Sequence, residues 1–394
     1  MLDRKAVSSL MKSKGAKSFY ASLISIGIGI AVGCVIILAV ALFSEKISLK
    51  SGLEAVKLIL FGVFCKGRDV EGNLVFGLGS ANIGDLLFRA TPIIMTGLSV
   101  TYAFKTGLFN IGASGQYLMG TAATLITALS LPESFPRFIV WLLAFICGML
   151  AGALWGVIPG YLKAKFRINE VLSCIMTNWI AANAVTWIFE NSPLRNSEQS
   201  GKIGYILPTA SKGIATPGFG LQQLFPGSQV NGGIIIAVLF AVLIYIILTK
   251  TVLGFENRIC AGNVDAAEYA GINRKRRTVL SMATAGALSA AGAALYFLSG
   301  STEFFWSTYQ SLPREGFNGI PVALLASNNP IGVIFTGCFM SMLSICGQQL
   351  KDLTSYNEHI TGIVIAIIVY LSAFSLVISQ FISKMRKTEK EADR

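Results

Sequence analysis

The chain has 394 residues, 53% of them hydrophobic and 13% charged, with a mean hydropathy of +0.64. Soluble domains carry about 25% charged residues, so lipid is the expected solvent, and a soluble enzyme, a disordered tail and a disulfide-built secreted domain are all disfavoured. The formal charge of +12, from 32 Lys and Arg against 20 Asp and Glu, fits nucleic acid, an anionic membrane face or an orientation signal, and its position along the chain decides among them.

A spanning helix needs about 20 apolar residues, because the hydrocarbon core is roughly 30 Å thick and each residue rises about 1.5 Å. Taken in chain order, apolar runs fall near 19–43, 88–104, 107–131, 138–160, 168–190, 233–253, 279–299, 330–350 and 359–383. A tenth, 314–326, is short and holds Gly316, Gly319 and Pro321. The fold class is therefore all-α, a polytopic helical membrane protein with about ten transmembrane helices, one or more of them short or broken. The first run follows a basic lead from Arg4 to Lys17 and is about 25 residues long, beyond the 7 to 15 of a cleaved signal, so it is expected to stay as an anchor.

These runs divide the chain into an N-terminal segment 1–18, a transmembrane domain 19–383 and a tail 384–394. With both termini on one side, the inner segments hold 20 of the 32 Lys and Arg. Basic residues near spans set orientation, so that side is expected to be cytoplasmic, and the charge reads as an orientation signal and lipid contact with no nucleic acid. The outer loop 191–232 carries Pro193, Pro208, Pro217 and Pro226 with many Gly and Ser, which suits a surface loop or lid. In the inner loop 254–278, Val264 to Tyr269 can form a short helix, with Asn263 as its N-cap and Gly271 just past its end.

Several chemistries are missing. The sole Gly-Lys dipeptide, Gly201-Lys202, is followed by Ile203, so no phosphate-cradling loop is present and the chain is not expected to hydrolyse ATP. A lone His359 excludes HExxH, and the seven Cys form no CxxC, so neither a metal site nor a catalytic set is expected. The interiors of the ten runs lack Asp, Glu, Lys and Arg, the residues that proton-coupled carriers keep within the bilayer. Energy is expected from outside the chain, and the solute is expected to be uncharged or read by neutral polar groups.

Four segments carry information. Gly148, Gly152, Gly156 and Gly160 recur every four residues, a helical stripe on which another backbone can approach closely; close packing or a moving gate helix are its two readings. GLFNIGASGQYLMG, residues 107–120, crowds Gly with Asn110, Ser114 and Gln116 at the start of a run. Backbone broken at membrane depth is tolerated only inside protein or beside a water-filled cavity, so this is either a solute path or a closely packed turn. INEVLSCIMTNWIAANAVTWIFE offers Asn178, Trp179, Asn183 and Trp187, whose amides and indoles could read and stack on a base or could bridge helices and anchor an interface. REGFNGIPVALLASNNPIGV pairs helix breakers with Asn318, Asn328 and Asn329, and a half-length interrupted segment is a recognised pointer to a transporter's central site or gate.

Together, ATPIIMTGLSVTYAFKTGLFNIGASGQYLMG, LKAKFRINEVLSCIMTNWIA, AGNVDAAEYAGINRKRRTVLSMATAGALSAAGA and GFNGIPVALLASNNPIGV resemble the integral permease family of ABC importers for simple sugars and nucleosides, within the group that includes ribose and branched-chain amino acid permeases. The version FKTGLFNIG, with the long outer loop, looks most like the larger permease of bacterial nucleoside uptake systems, although that family commonly carries Glu where Ser114 stands. The resemblance implies a multi-pass permease in the bacterial plasma membrane with both termini cytoplasmic. It implies a second permease subunit in a heterodimer, an extracytoplasmic substrate-binding lipoprotein, and a cytoplasmic ABC ATPase that binds the ATP and Mg, this chain having no cofactor of its own. Asp265, Ala266, Ala267, Glu268, Tyr269, Ala270 and Gly271 would then form the segment that docks into the ATPase, and Asn110, Ser114, Gln116, Asn178, Trp179, Asn183, Phe317 and Asn318 are candidates for lining the path. A neutral-sugar permease and a secondary transporter working without an ATPase are the alternatives.

Overall fold

The computed structural model describes residues 14–43, 47–190, 192–196, 204–262, 264–307, 310–357 and 359–373. The segment 1–13, Asn263 as a helix cap, the end of the last run and the tail 384–394 lie outside the described residues. Each of the ten apolar runs holds one helix, and seven described helices are long and apolar enough to cross a membrane.

The chain forms two compact units. The first holds residues up to Asn82, Leu324–Ser327 and the chain from Phe339 onward. Here α1 (Lys14–Phe43) packs on α14 (His359–Ala373) and on the short α2 (Leu49–Phe61). The first contact is close because Gly33 faces Val364: a Cβ on Gly33 would come 2.7 Å from Val364 Cγ2. A hairpin that the apolar pattern does not announce, β1 (Cys65–Arg68) against β2 (Leu74–Phe76), follows α2. It is held by Arg68, which pairs with Glu54 at 2.6 Å and donates to the Leu353 carbonyl at 2.6 Å. The Tyr356 hydroxyl donates to the Ile37 carbonyl at 2.7 Å, closing a small core with Leu58, Ile59 and Leu350.

The second unit spans Ile83–Ala323 and Asn328–Cys338. It contains most of α3 (Ser80–Lys105), then α4 (Ala113–Ser130), α5 (Arg137–Phe166), α6 (Glu170–Glu190), α7 (Leu221–Leu224), α8 (Gly233–Lys250), α9 (Val252–Gly262), α10 (Val264–Tyr269) and α11 (Arg274–Phe297). Most of α12 (Arg314–Leu325) and the start of α13 (Pro330–Leu353) complete it. The pairing of α5 with α11 is the most extensive, and α4 packs on both. Gly152 makes this possible, since a Cβ there would sit 2.5 Å from the Gly286 carbonyl oxygen, and one on Gly156 would collide with the Met282 carbonyl. Gly160 abuts Met282 and Val279, and Gly148 abuts Thr124 and the Gly120 carbonyl. The glycine stripe therefore lies in the seam between α5 and its neighbours, where small residues let backbones meet without a side chain between them.

Two expectations are corrected. The run 107–131 is a turn followed by an 18-residue helix, because α4 starts only at Ala113. The run 88–104, which holds Arg89 at its second position, is part of a longer helix, α3, whose first turns also carry Asp85, so the apolar run is narrower than the helix that contains it. Hydropathy averaging cuts a helix at its charged end, while backbone hydrogen bonding does not.

The outer loop is fastened onto this unit. The Lys212 ammonium donates to the Leu129 and Leu131 carbonyls at the end of α4, at 2.6 and 3.2 Å. Thr209 and Thr216 donate to the Phe297 and Leu298 carbonyls at the end of α11. Carbonyls at a helix C-terminus have no intrahelical partner, and the loop supplies donors to two such ends.

Candidate functional site

α3 ends where Gly107 takes a positive φ of 73°, with the Gly107 amide donating to the Phe104 carbonyl and the Leu108 amide to the Ala103 carbonyl. This glycine C-cap stops the helix, and the chain then turns through residues 108–112 before α4 begins. A broken crossing leaves amides and carbonyls without helical partners, and inside a bundle each must be satisfied by side chains.

The polar residues around the break do this. Asn178, reaching from α6, donates to the Ile111 carbonyl at 3.0 Å and accepts from the Gly115 amide at 2.9 Å. Asn110 accepts from the Gly112 amide at 3.1 Å and exchanges a reciprocal pair of bonds with Gln116, at 2.8 and 3.2 Å, with a further bond to Ser99. Ser289 of α11 donates to the Ala113 carbonyl at 2.6 Å, and Ser114 to the Pro313 carbonyl at 2.9 Å. Asn110, Ser114, Gln116 and Asn178 are all buried. Ser289 stands 15 residues along α11 from Arg274, about 22 Å at 1.5 Å per residue, so α4 starts deep in the unit.

α12 closes on the same point. Gly316 has no room for a side chain because its Cβ position falls on the Ser114 backbone, and a Cβ on Gly319 would come 2.6 Å from the Thr96 carbonyl. Two interrupted helices, α4 and α12, thus begin against each other, and Phe317 and Asn318 lie half-buried on the second. The remaining candidates are elsewhere. Trp179 and Trp187 are 55% and 76% exposed, and Asn183 is exposed with its amide donating to the Trp179 carbonyl at 2.8 Å. The structure therefore brings Asn110, Ser114, Gln116 and Asn178 together and leaves Trp179, Asn183 and Trp187 on the outward face of α6.

Sequence reasoning passed over Tyr117, Tyr296, Gln310 and Glu315. The first is fully buried one turn along α4 from Ser114. An aromatic within an apolar run looks like core filler, and the only available signal is a phenol hydroxyl that needs a partner.

The basic loop 254–278 contains two helices ahead of α11. α9 lies across the end of α3: Asn257 donates to the Tyr102 hydroxyl at 3.2 Å, and a Cβ on Gly107 would come 3.0 Å from Ala261 Cα. Arg277 Nε sits 2.6 Å from Glu256 Oε2, tying α9 to α11. Burial pushes the Cys260 thiol up, against the opposing pull of Arg274 and Arg277, so this cysteine is no ready nucleophile. α10 ends as the sequence implies: Gly271 has φ of 69°, its amide donates to the Glu268 carbonyl, and the Ile272 amide donates to the Ala267 carbonyl. That is the two-bond glycine cap of a helix C-terminus, and Asn273 then caps α11 by accepting from the Arg276 amide. Ala267 faces inward, while Glu268, Ala270, Gly271 and the 95% exposed Tyr269 face out; the backbone of Asp265 and Ala266 lies within α10.

The buried amides satisfy the broken backbone, and α9 touches the end of α3 that leads to the break. Among the described residues no group of His, Cys, Asp or Glu could hold a metal. Residues 82–371 match the family described as branched-chain amino acid transport system permease component. The chain is 33% identical to the guanosine ABC transporter permease protein NupP of Bacillus subtilis over 93% of its own length and 96% of that protein. It is 37% identical to the nucleoside ABC transporter permease protein NupB of Lactococcus lactis over 85% and 90%. A glucose ABC transporter permease protein of Haloferax volcanii is 30% identical over 77% of each chain.

Proposed function

The chain belongs to the permease-component family of branched-chain amino acid transport systems, and we propose on that premise that it forms the membrane pathway for nucleoside uptake in an ATP-driven importer. It is a transport subunit and not an enzyme. The observation that carries the nucleoside reading is the similarity to two permeases named for guanosine and nucleosides across at least 85% of this chain. The uncharged character of most of the buried polar set, amides and hydroxyls, suits a neutral solute.

In this reading ATP and Mg are bound by a separate cytoplasmic ATPase. The segment Asp265 to Gly271, which includes most of α10, docks into that ATPase through its exposed Glu268, Tyr269, Ala270 and Gly271. α9 carries the motion to the α3 end through Asn257–Tyr102 and Gly107–Ala261, and so to the break at Asn110. A second permease completes a heterodimeric pore, and a lipoprotein delivers solute on the far side. The Lys and Arg excess of segments 1–18, 161–167, 250–278 and 384–394 holds both termini in the cytoplasm.

Uptake of radiolabelled purine and pyrimidine nucleosides, measured in cells with and without the gene, tests the substrate. Loss of uptake of at least one nucleoside on deletion is expected, and unchanged uptake of all of them would sink the reading. The similarity to a glucose permease supports a simple-sugar alternative, which predicts instead a loss of labelled ribose, galactose or glucose uptake.

A further inference from the structure

Inside a bundle, a phenol hydroxyl or amide oxygen without a hydrogen-bond partner costs free energy comparable to a lost hydrogen bond, and such groups concentrate where something else is bound. Tyr117 is only 2% exposed, and its hydroxyl has no partner. Gln310 Oε1 is also buried without a partner. Gln310 lies between Trp306 and Leu312, and both of these pack against the hydrophobic cluster that contains Tyr117.

The same neighbourhood holds a carboxylate. Glu315 stands in the first turn of α12, beside Gly316, whose backbone meets that of Ser114. Tyr117 is three residues on from Ser114, on the same face of α4. Tyr296 packs against the same hydrophobic cluster as Tyr117. Flat apolar surface is supplied by Tyr296, stacked on Phe88 at 5.5 Å between ring centroids, whereas the Trp306 ring is already covered by the Arg195 guanidinium 3.8 Å from its centroid.

Two acceptors, Glu315 and Gln310, and one group that both donates and accepts, Tyr117, are a set for a ligand that presents hydroxyl groups. A carboxylate accepts from two adjacent hydroxyls more strongly than a neutral acceptor does. We infer that Tyr117, Gln310 and Glu315 form a solute subsite at the meeting of α4 and α12 that reads the hydroxyls of a sugar ring, with the Tyr296 ring against its carbon face. This inference rests on the permease reading and adds to it which part of the solute the chain recognises. The Asn110, Gln116 and Asn178 amides then serve to hold the break in shape, since their hydrogen bonds are made within the protein.

The experiment uses the complete importer in cells and compares uptake of adenosine with that of 2′-deoxyadenosine, in wild type and in Tyr117→Phe and Glu315→Gln. Both variants keep side-chain volume, and membrane levels are checked by immunoblot. Because the lipoprotein is unchanged, its own selectivity cancels in the ratio between variant and wild type. Tyr117→Phe is expected to raise KM for adenosine about tenfold and that for 2′-deoxyadenosine less than about twofold. Equal changes for both solutes mark a structural role and overturn the inference, as does no change in either. A wild type that carries no nucleoside removes the nucleoside reading alone, and the same comparison then runs on ribose against 2-deoxyribose, where equal changes again overturn the subsite. A wild type that carries neither class overturns both.

Discussion

The α5–α11 seam and the break between α3 and α4 solve opposite problems within one unit. At the seam, Gly152, Gly156 and Gly286 bring two continuous helices into backbone contact. At the break the helical bonds are gone, and Asn110, Asn178 and Ser289 supply partners to the Gly112 and Gly115 amides and to the Ile111 and Ala113 carbonyls. The seam is held by shape, which tolerates no added atom. The break is held by directional bonds, which can be exchanged for bonds to another partner. A transport path needs the second kind of region beside the first, because one part must stay fixed while the other rearranges.

Adding bulk to the seam should have the largest effect. Gly152→Leu places a side chain onto the Gly286 carbonyl, and overpacking of a close backbone contact cannot relax locally. Membrane-inserted protein is expected to fall at least about tenfold by immunoblot, and near-normal levels would show that the seam is looser than described. Asn178→Ala should act less severely. It strips partners from the Ile111 carbonyl and the Gly115 amide, each costing about 1–3 kcal/mol when buried unpaired. A melting temperature in detergent lower by roughly 5 °C, with insertion preserved, is expected. Glu268→Lys, on the exposed face of α10, should leave level and melting temperature within error of wild type, and abolish solute-linked ATP hydrolysis in the assembled importer. Normal hydrolysis in that variant would remove α10 from the coupling role.

The helices were legible in the sequence because hydrocarbon admits no other spanning element here: ten apolar runs hold ten helices. The end of α10 was legible because Gly271 is the local residue that takes positive φ without penalty. The break near Asn110 was legible as a break, from the density of glycine between 107 and 120, but whether its amides face a solute or the backbone was not. That choice depends on Ile111, Gly115 and Pro313 lying opposite them, and no periodicity encodes contacts between residues 67 or 199 positions apart. The β1–β2 hairpin escaped notice because it is three to four residues per strand and half exposed. Glu315 escaped because a charge at the edge of an apolar run looks like its boundary.

A conduit whose energy arrives from a separate ATPase differs most sharply from a self-powered carrier when the chain is isolated. The direct measurement is uptake of labelled nucleosides into proteoliposomes holding the purified chain alone, or the chain with its partner permease, ATPase and lipoprotein, each with and without internal ATP. The account predicts uptake only in the full assembly with ATP. Concentrative uptake by the chain alone would contradict it and identify a self-sufficient secondary transporter.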